Sequence, residues 1–201
     1  MAKLKVCYGA MNAGKTMEAL RVIFNYEQLG HRVLVVKPEV DTKGGNTIIS
    51  RTGYSREVDV LLNEEDDIYK IFIKENARGK EIKCVVVDEA QFLSKKHVEE
   101  LTDICDKKDI AVLTYALKNN FKGELFPGIK ALIEYADELE EIPTLCFNCL
   151  EEPIKARFNV RIKDGKPIVD NADEVVIDGE GVEYIPVCRK CFKEIQRNKI
   201  I

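Results

Sequence analysis

The chain has no tryptophan and only two histidines, and no run of residues approaches the ~18 consecutive apolar positions that a membrane span requires. A membrane-embedded protein is therefore excluded as a reading. His31 and His97 lie far apart with no ligand-like spacing, so neither is assigned a metal or catalytic role. There is no excess of positive charge either. The net charge is −4, which argues against a mainly electrostatic grip on nucleic acid. No internal repeat and no low-complexity linker is found. The N-terminus runs straight into a β-prone segment without a signal-peptide pattern, and a cytoplasmic address is expected.

In that compartment the seven cysteines are not expected to form structural disulfides. Cys7, Cys84 and Cys105 each sit alone in an apolar run and read as small core residues. The other four, discussed below, come in pairs. At 201 residues the chain has room for one full α/β domain and a small appendage, expected as 1–144 and 145–201.

Gly9, Ala10, Met11, Asn12, Ala13, Gly14, Lys15 and Thr16 fill the G-x-x-x-x-G-K-[ST] pattern at every required position. A short β-prone run, Leu4 to Tyr8, precedes the motif, and a segment apolar at helical spacing, Met17 to Phe24, follows it. Strand, glycine turn and helix N-terminus in that order direct backbone N–H groups at an anion. Lys15 would reach the β- and γ-phosphates of a nucleoside triphosphate, and the Thr16 hydroxyl would bind Mg²⁺.

Strands are expected at Arg32–Val36, Ile82–Val87 and Ile110–Tyr115, and helices at 63–77, from Ser94 onward, and at 128–136. The acidic run Asn63 to Asp67 reads as helix capping, not as a metal site. Near-continuous apolar strands with helices between them imply a parallel sheet covered on both faces. Residues 38–56 are long, polar and glycine-rich, the mark of a functional or disordered loop. From about Leu145 onward the helical spacing is lost.

The strand at Val85-Val86-Val87 ends in Asp88-Glu89-Ala90-Gln91-Phe92. An acid at that place in a P-loop protein helps to hold Mg²⁺, which suits Asp88. Glu89 leaves the strand end in another direction and is available as a general base. The same D-E-A-Q string also resembles the second motif of helicase-type ATPases. That leaves a zinc-ribbon ATPase acting on nucleic acid as the alternative function.

Cys146-x-x-Cys149 and Cys188-x-x-Cys191 are separated by 38 residues. Two such knuckles supply all four ligands of a tetrahedral structural Zn²⁺ and leave no open position. The metal would staple a loop-rich segment that has little core of its own.

Together these motifs resemble the cytosolic-type, zinc-containing thymidine kinase family over nearly the whole chain. Gly9 to Thr16 is similar to its G-P-M-F-[SA]-G-K-[ST], and Asp88 to Phe92 to its D-E-[GA]-Q-F. Tyr115 to Phe126 is similar to its Y-G-L-x-x-D-F-x-G-x-x-F, and Val187 to Cys191 to its V-C-R-x-C. The resemblance implies a RecA-like P-loop sheet carrying a zinc-held lasso. It implies transfer of the γ-phosphate of ATP to the 5′-hydroxyl of thymidine, with Glu89 as base. It further implies that Asp41, Thr42, Lys43 and Gln91 join the P-loop and Asp88 at the nucleotide. Met11, Phe92, Leu117, Phe121, Phe126 and Asn159 would surround the base, with Val176, Ile177, Asp178, Gly179 and Tyr184 from the lasso. Residues 38–56 would be the lid over the triphosphate, with Ser50-Arg51 matching a family S-R. A homotetramer inhibited by dTTP, with no direct nucleic-acid partner, completes the expectation. Asn12, Lys43, Asn159 and a longer lasso depart from the family pattern.

Overall fold

The computed structural model describes residues 1–41, 44–168 and 182–197. Strand β1 (Leu4–Gly9) leads into helix α1 (Lys15–Gln28) and strand β2 (Arg32–Pro38). Next come a hairpin of β3 (Thr47–Ile49) and β4 (Ser55–Glu57), then β5 (Val60–Leu62), α2 (Ile68–Ala77) and β6 (Ile82–Val87). One 3₁₀ turn over Ala90–Phe92 precedes α3 (Lys95–Lys108), β7 (Ala111–Leu117), α4 (Pro127–Tyr135) and β8 (Glu138–Glu141). The last described elements are β9 (Phe158–Lys163), β10 (Lys166–Pro167), β11 (Val182–Val187) and α5 (Arg189–Arg197).

Six strands form a wholly parallel sheet in the order β5-β2-β6-β7-β1-β8. Alternate residues of each strand serve opposite faces. Val33, Val35, Cys84 and Val86 pack with Ala19, Leu20 and Ile23 of α1. Leu34, Val36, Val85 and Val87 pack with residues of α2, α3 and α4, including Phe72, Leu101 and Leu132. Burial on both faces is why these strands are apolar without alternation. Cys7, Cys84 and Cys105 are buried core residues, as expected. Strand β7 lies between β1 and β6, so the glycine turn and the acidic strand end emerge side by side on one edge of the sheet. That is the RecA-like arrangement, with a site at the carboxyl ends of parallel strands.

Several features differ from the sequence reading. The segment 38–56 is not all loop: it contains the β3–β4 hairpin, whose Ile48 is buried against α1 and β2. Strand β8 is almost entirely acidic, and it holds the sheet edge through ion pairs of Glu140 with Lys5 of β1 and of Glu138 with Lys3 just before that strand. Helix α5 falls where helical spacing was judged lost, because only Cys191, Phe192 and Ile195 among its residues face the small core beneath it. The acids at 63–67 precede α2 instead of forming its first turn; Asp67 is the cap, accepting from the Lys70 N–H at 2.8 Å.

His97 is not a surface residue, being 3 % exposed. The Ser94 hydroxyl caps α3 by accepting from the His97 N–H at 3.2 Å, and His97 Nδ1 accepts from the Ser94 N–H at 3.4 Å. That arrangement leaves Nε2 to carry the proton and donate to the Asp66 carbonyl at 3.2 Å. Among the described residues no helix is long and apolar enough to cross a membrane.

Gly128 fixes how close α4 comes to the acidic strand end. A Cβ there would lie 2.5 Å from the Gln91 carbonyl oxygen, 2.7 Å from that of Leu93 and 2.8 Å from that of Ala90. All three are backbone atoms and cannot swing away. Gly128→Ala is expected to destabilise the protein by about 1–3 kcal/mol through overpacking, read as a lower urea midpoint. It should also lower turnover, because the displaced turn carries Gln91.

Candidate active site and cysteine cluster

The glycine turn reverses direction through two left-handed residues, Asn12 (φ 62°) and Gly14 (φ 82°). Asparagine is one of the few side chains that tolerates this region. Gly9 is needed for a different reason: its Cβ would lie 2.6 Å from the Ile142 carbonyl oxygen. Helix α1 begins at Lys15, so its first, unpaired N–H groups face the turn and form an anion cradle. Lys15 is buried, and its ammonium donates to the Ala10 carbonyl at 2.9 Å. The lysine is thus held inside the loop that would bind the phosphates.

Asp88 follows β6 directly, and its N–H donates to the Val36 carbonyl at 3.1 Å. The Thr16 hydroxyl, at the start of α1, lies near enough to the Asp88 carboxylate to favour the charged form. Burial first, and then the charge of Glu89, push the Asp88 carboxyl up to about 7, against the opposing pull of Thr16 and Lys15. A hydroxyl and a carboxylate in contact, next to a phosphate cradle, are the oxygen donors that Mg²⁺ takes beside a nucleotide. The Thr16–Asp88 pair fits that ion.

Glu89 sits in the left-handed region at φ 51°, which is unfavourable for a non-glycine residue. Such strain, of order 1–3 kcal/mol, persists where the surroundings enforce it and is a pointer to function. The Glu89 side chain is tethered by Gln91. The Gln91 Nε2 donates to the Glu89 carboxylate at 2.5 Å, while its Oε1 accepts from the Leu117 N–H at 2.9 Å at the end of β7. Gln91 is 1 % exposed and reaches the site through Glu89.

A cavity of about 230 Å³ opens between the glycine turn and the hairpin. Of the expected site residues, Met11, Asn12, Gly14, Lys15, Thr16, Asp41, Asp88 and Glu89 line it. Lys37 and hairpin residues including Ser50 and Arg51 also line it. Lys37 was not singled out in the sequence. A lone lysine ending the apolar run of β2 is its only signal. It is 1 % exposed and pairs with Asp41 at 2.9 Å.

The remaining expected residues lie elsewhere. Phe92 meets Phe126 edge-on with centroids 5.7 Å apart. Phe121 is buried, with the Arg161 guanidinium carbon 4.3 Å from its ring centroid. Leu117 ends β7, and Tyr184 pairs with Arg161 in the β9–β11 ladder. Asn159 is buried; its Oδ1 accepts from the Met11 N–H at 2.7 Å and its Nδ2 donates to the Asn119 carbonyl at 3.1 Å. It ties the glycine turn to β9. Thr42, Lys43, Val176, Ile177, Asp178 and Gly179 lie outside the described residues.

The sulfur atoms of Cys146, Cys149, Cys188 and Cys191 all lie within 4.8 Å of one another. Cys149 Sγ is 3.9 Å from Cys188 Sγ and 3.6 Å from Cys191 Sγ. A tetrahedral zinc with Zn–S bonds of ~2.3 Å sets its ligands ~3.8 Å apart, so four thiolates in this arrangement fit the ion. The core around them is small. Val160, Val187 and Phe192 are its buried members besides three of the cysteines, with Phe158 stacked on Phe192 at 4.4 Å.

The elevated Asp88 pKa has a sign that can be tested. Between the unfolded value near 4 and about 7 the folded state binds the extra proton, so ligand-free stability falls as pH rises through that window. Asp88→Asn removes the penalty and keeps the shape. Its Tm without ligand is expected to exceed that of the wild type at pH 8, with the gap narrowing towards pH 4, as thermal melts at the two pH values would show. Turnover should be lost at both.

The family model for thymidine kinase matches residues 2–192. The thymidine kinase of Lactiplantibacillus plantarum is 42% identical over 190 residues, covering 94% of this chain and 94% of that protein. Those of Lactococcus lactis and Enterococcus faecalis are 41% and 42% identical, each over 96% of this chain and over 97% and 95% of their own lengths. The match spans the sheet, the glycine turn, the acidic strand end and both cysteine knuckles: the chain belongs to the thymidine kinase family.

Proposed function

We propose that the protein is a nucleoside-salvage kinase that transfers the γ-phosphate of ATP to the 5′-hydroxyl of thymidine, giving dTMP and ADP. The observation that carries this reading is the acid pair at the end of β6. Asp88 faces the P-loop hydroxyl of Thr16, while Glu89 is turned aside by its backbone and tethered by Gln91 in the same cavity. A protein that only bound nucleotide would have no use for a second, strained and tethered carboxylate. The nucleic-acid ATPase gains no support: the family is that of thymidine kinases, and the net charge is −4.

The backbone N–H groups of the glycine turn and Lys15 bind and orient the triphosphate. Thr16 and Asp88 would hold Mg²⁺, which would neutralise charge on the phosphate oxygens. Glu89 takes the proton of the 5′-hydroxyl as that oxygen forms its bond to the γ-phosphorus. The bond to the β,γ-bridging oxygen breaks, and its electron pair leaves with ADP. Positioning and charge stabilisation supply most of the acceleration in such a transfer.

On the nucleoside side, Met11, Leu117, Phe121, Phe126 and Phe92 contribute apolar wall, with Asn159 and Tyr184 nearby. Val176 to Gly179 would read the base edge. Cys146, Cys149, Cys188 and Cys191 would hold a zinc ion that would anchor that segment. Asp41, Thr42 and Lys43 belong to the segment over the triphosphate. The assembly is a cytoplasmic homotetramer restrained by dTTP, on the strength of the family resemblance.

A coupled ADP-release assay with each deoxynucleoside and with single-stranded DNA tests the reading. Thymidine-dependent turnover with recovery of dTMP is expected; stimulation by DNA alone would sink it. In the same assay Glu89→Gln should lose at least about 10²-fold in kcat while ATP and thymidine still bind, since it removes a base and keeps the shape. Near-wild-type turnover would remove Glu89 from its role. Cys149→Ser should release the metal, read by zinc analysis, and weaken thymidine binding more than ATP binding. An equal loss of both would show that the cysteine cluster supports the whole fold instead.

A further inference from the structure

We propose that Arg51, on the turn of the β3–β4 hairpin, is a further catalytic residue whose guanidinium neutralises the phosphoryl group in flight between ATP and the nucleoside hydroxyl. The inference rests on the function proposed above and adds a residue to it.

The turn that carries Arg51 is firmly built. The Ser50 N–H donates to the Tyr54 carbonyl at 2.8 Å, and the Gly53 N–H to the Ser50 carbonyl at 3.0 Å. The buried Ser50 hydroxyl lies 2.9 Å from Thr52 Oγ1 and donates to the Tyr54 carbonyl at 3.1 Å. The legs of the hairpin are anchored as well. Ile48 is 2 % exposed within the core under α1, and Arg56 pairs with Glu27 of α1 at 3.3 Å and with Asp59 at 3.1 Å. The Thr52 hydroxyl reaches Met17 Sδ in the first turn of α1 at 3.9 Å. Arg51 is thus presented from a fixed support beside the helix start that carries Lys15 and Thr16. It lines the same cavity as those residues and Glu89, and its side chain is exposed.

The charges of the cavity wall point the same way. Its described cationic side chains are Lys15, Lys37 and Arg51, and its described acids are Asp41, Asp88 and Glu89. Lys37 is buried, and its ammonium is committed to the Asp41 carboxylate at 2.9 Å and the Gly45 carbonyl at 3.1 Å. It is a strut for the segment after β2, not a group that can follow a moving phosphate. Lys15 serves the β- and γ-phosphates from inside the turn.

In the transfer, charge spreads over the equatorial oxygens of the γ-group while the bond to the bridging oxygen breaks and the bond to the 5′-oxygen forms. A planar guanidinium can meet two of those oxygens at once, which a single ammonium cannot. Arg51 takes no proton and forms no bond. It stabilises charge that is greatest in the transition state.

The test uses Arg51→Ala and Arg51→Lys in the full chain. Initial rates with ATP and thymidine are measured, together with affinities for ATP and for ADP in the absence of thymidine. Arg51→Ala should lose about 10²-fold or more in kcat, with the KM for thymidine within about threefold of the wild type. Its affinity for ATP should fall more than that for ADP, and added guanidinium chloride should restore part of the turnover. Arg51→Lys should recover only a minor share of the lost rate. A kcat for Arg51→Ala within about threefold of the wild type, or equal losses of ATP and ADP affinity, would overturn the proposal. A wild-type protein silent with thymidine would instead defeat the function proposed above, and the ATP-against-ADP comparison would still report on Arg51.

Discussion

One buried amide organises the chemistry of this protein. Gln91 accepts from the last backbone N–H of β7 and donates to the carboxylate of Glu89, so one side chain links the ends of two strands to a strained acid. Glu89 is held in a left-handed backbone while its carboxylate is tied to Gln91, and Gln91 is tied in turn to the end of β7. Helix α4 closes on the same turn from behind, with Gly128 pressed against its carbonyls. What surrounds the acid is therefore strand, helix and turn backbone, the stiffest material the fold has. A general base gains most from being fixed before the substrate arrives, and this one is.

Asp88 illustrates the complementary cost. An acid placed where burial and a neighbouring carboxylate both oppose its charge weakens the empty protein. The same position makes it ready to meet a cation beside Thr16. The site holds its like charges close because phosphate chemistry needs them there, and the apolar faces of the sheet carry the stability that this arrangement gives up.

The parts of the fold that were legible in the sequence are those where one physical signal dominates. The glycine turn is read from residue types that nothing else requires, and β2, β6 and β7 from burial on both faces. The helix start at Ser94 is read from capping chemistry, whereas the acidic run before α2 marks a helix start without fixing its cap at Asp67. What escaped notice lacked such a signal. Strands β3 and β4 are three residues each and pair through backbone with little apolar pattern, and β8 is acidic because it forms a sheet edge. Helix α5 buries only a few side chains, one of which, Cys191, is already claimed by the knuckle motif. In the site, Lys15, Asp88 and Glu89 stood out because motif and context agreed. Lys37 and the bridging role of Asn159 depend on residues distant in sequence, and no local pattern reports such partners.

The position of β1 has a consequence for how the chain is made. The strand is among the first segments synthesised, yet its neighbours in the sheet are β7 and β8, more than a hundred residues later. The glycine turn is then pinned at Met11 by Asn159, later still. On the ribosome the phosphate-binding strand must wait, unpaired, while β2, β5 and β6 can already assemble beside one another. Nucleotide binding is thus a property of the nearly finished polypeptide, and a nascent chain released before residue 117 would leave β1 without its sheet neighbours and exposed to chaperones.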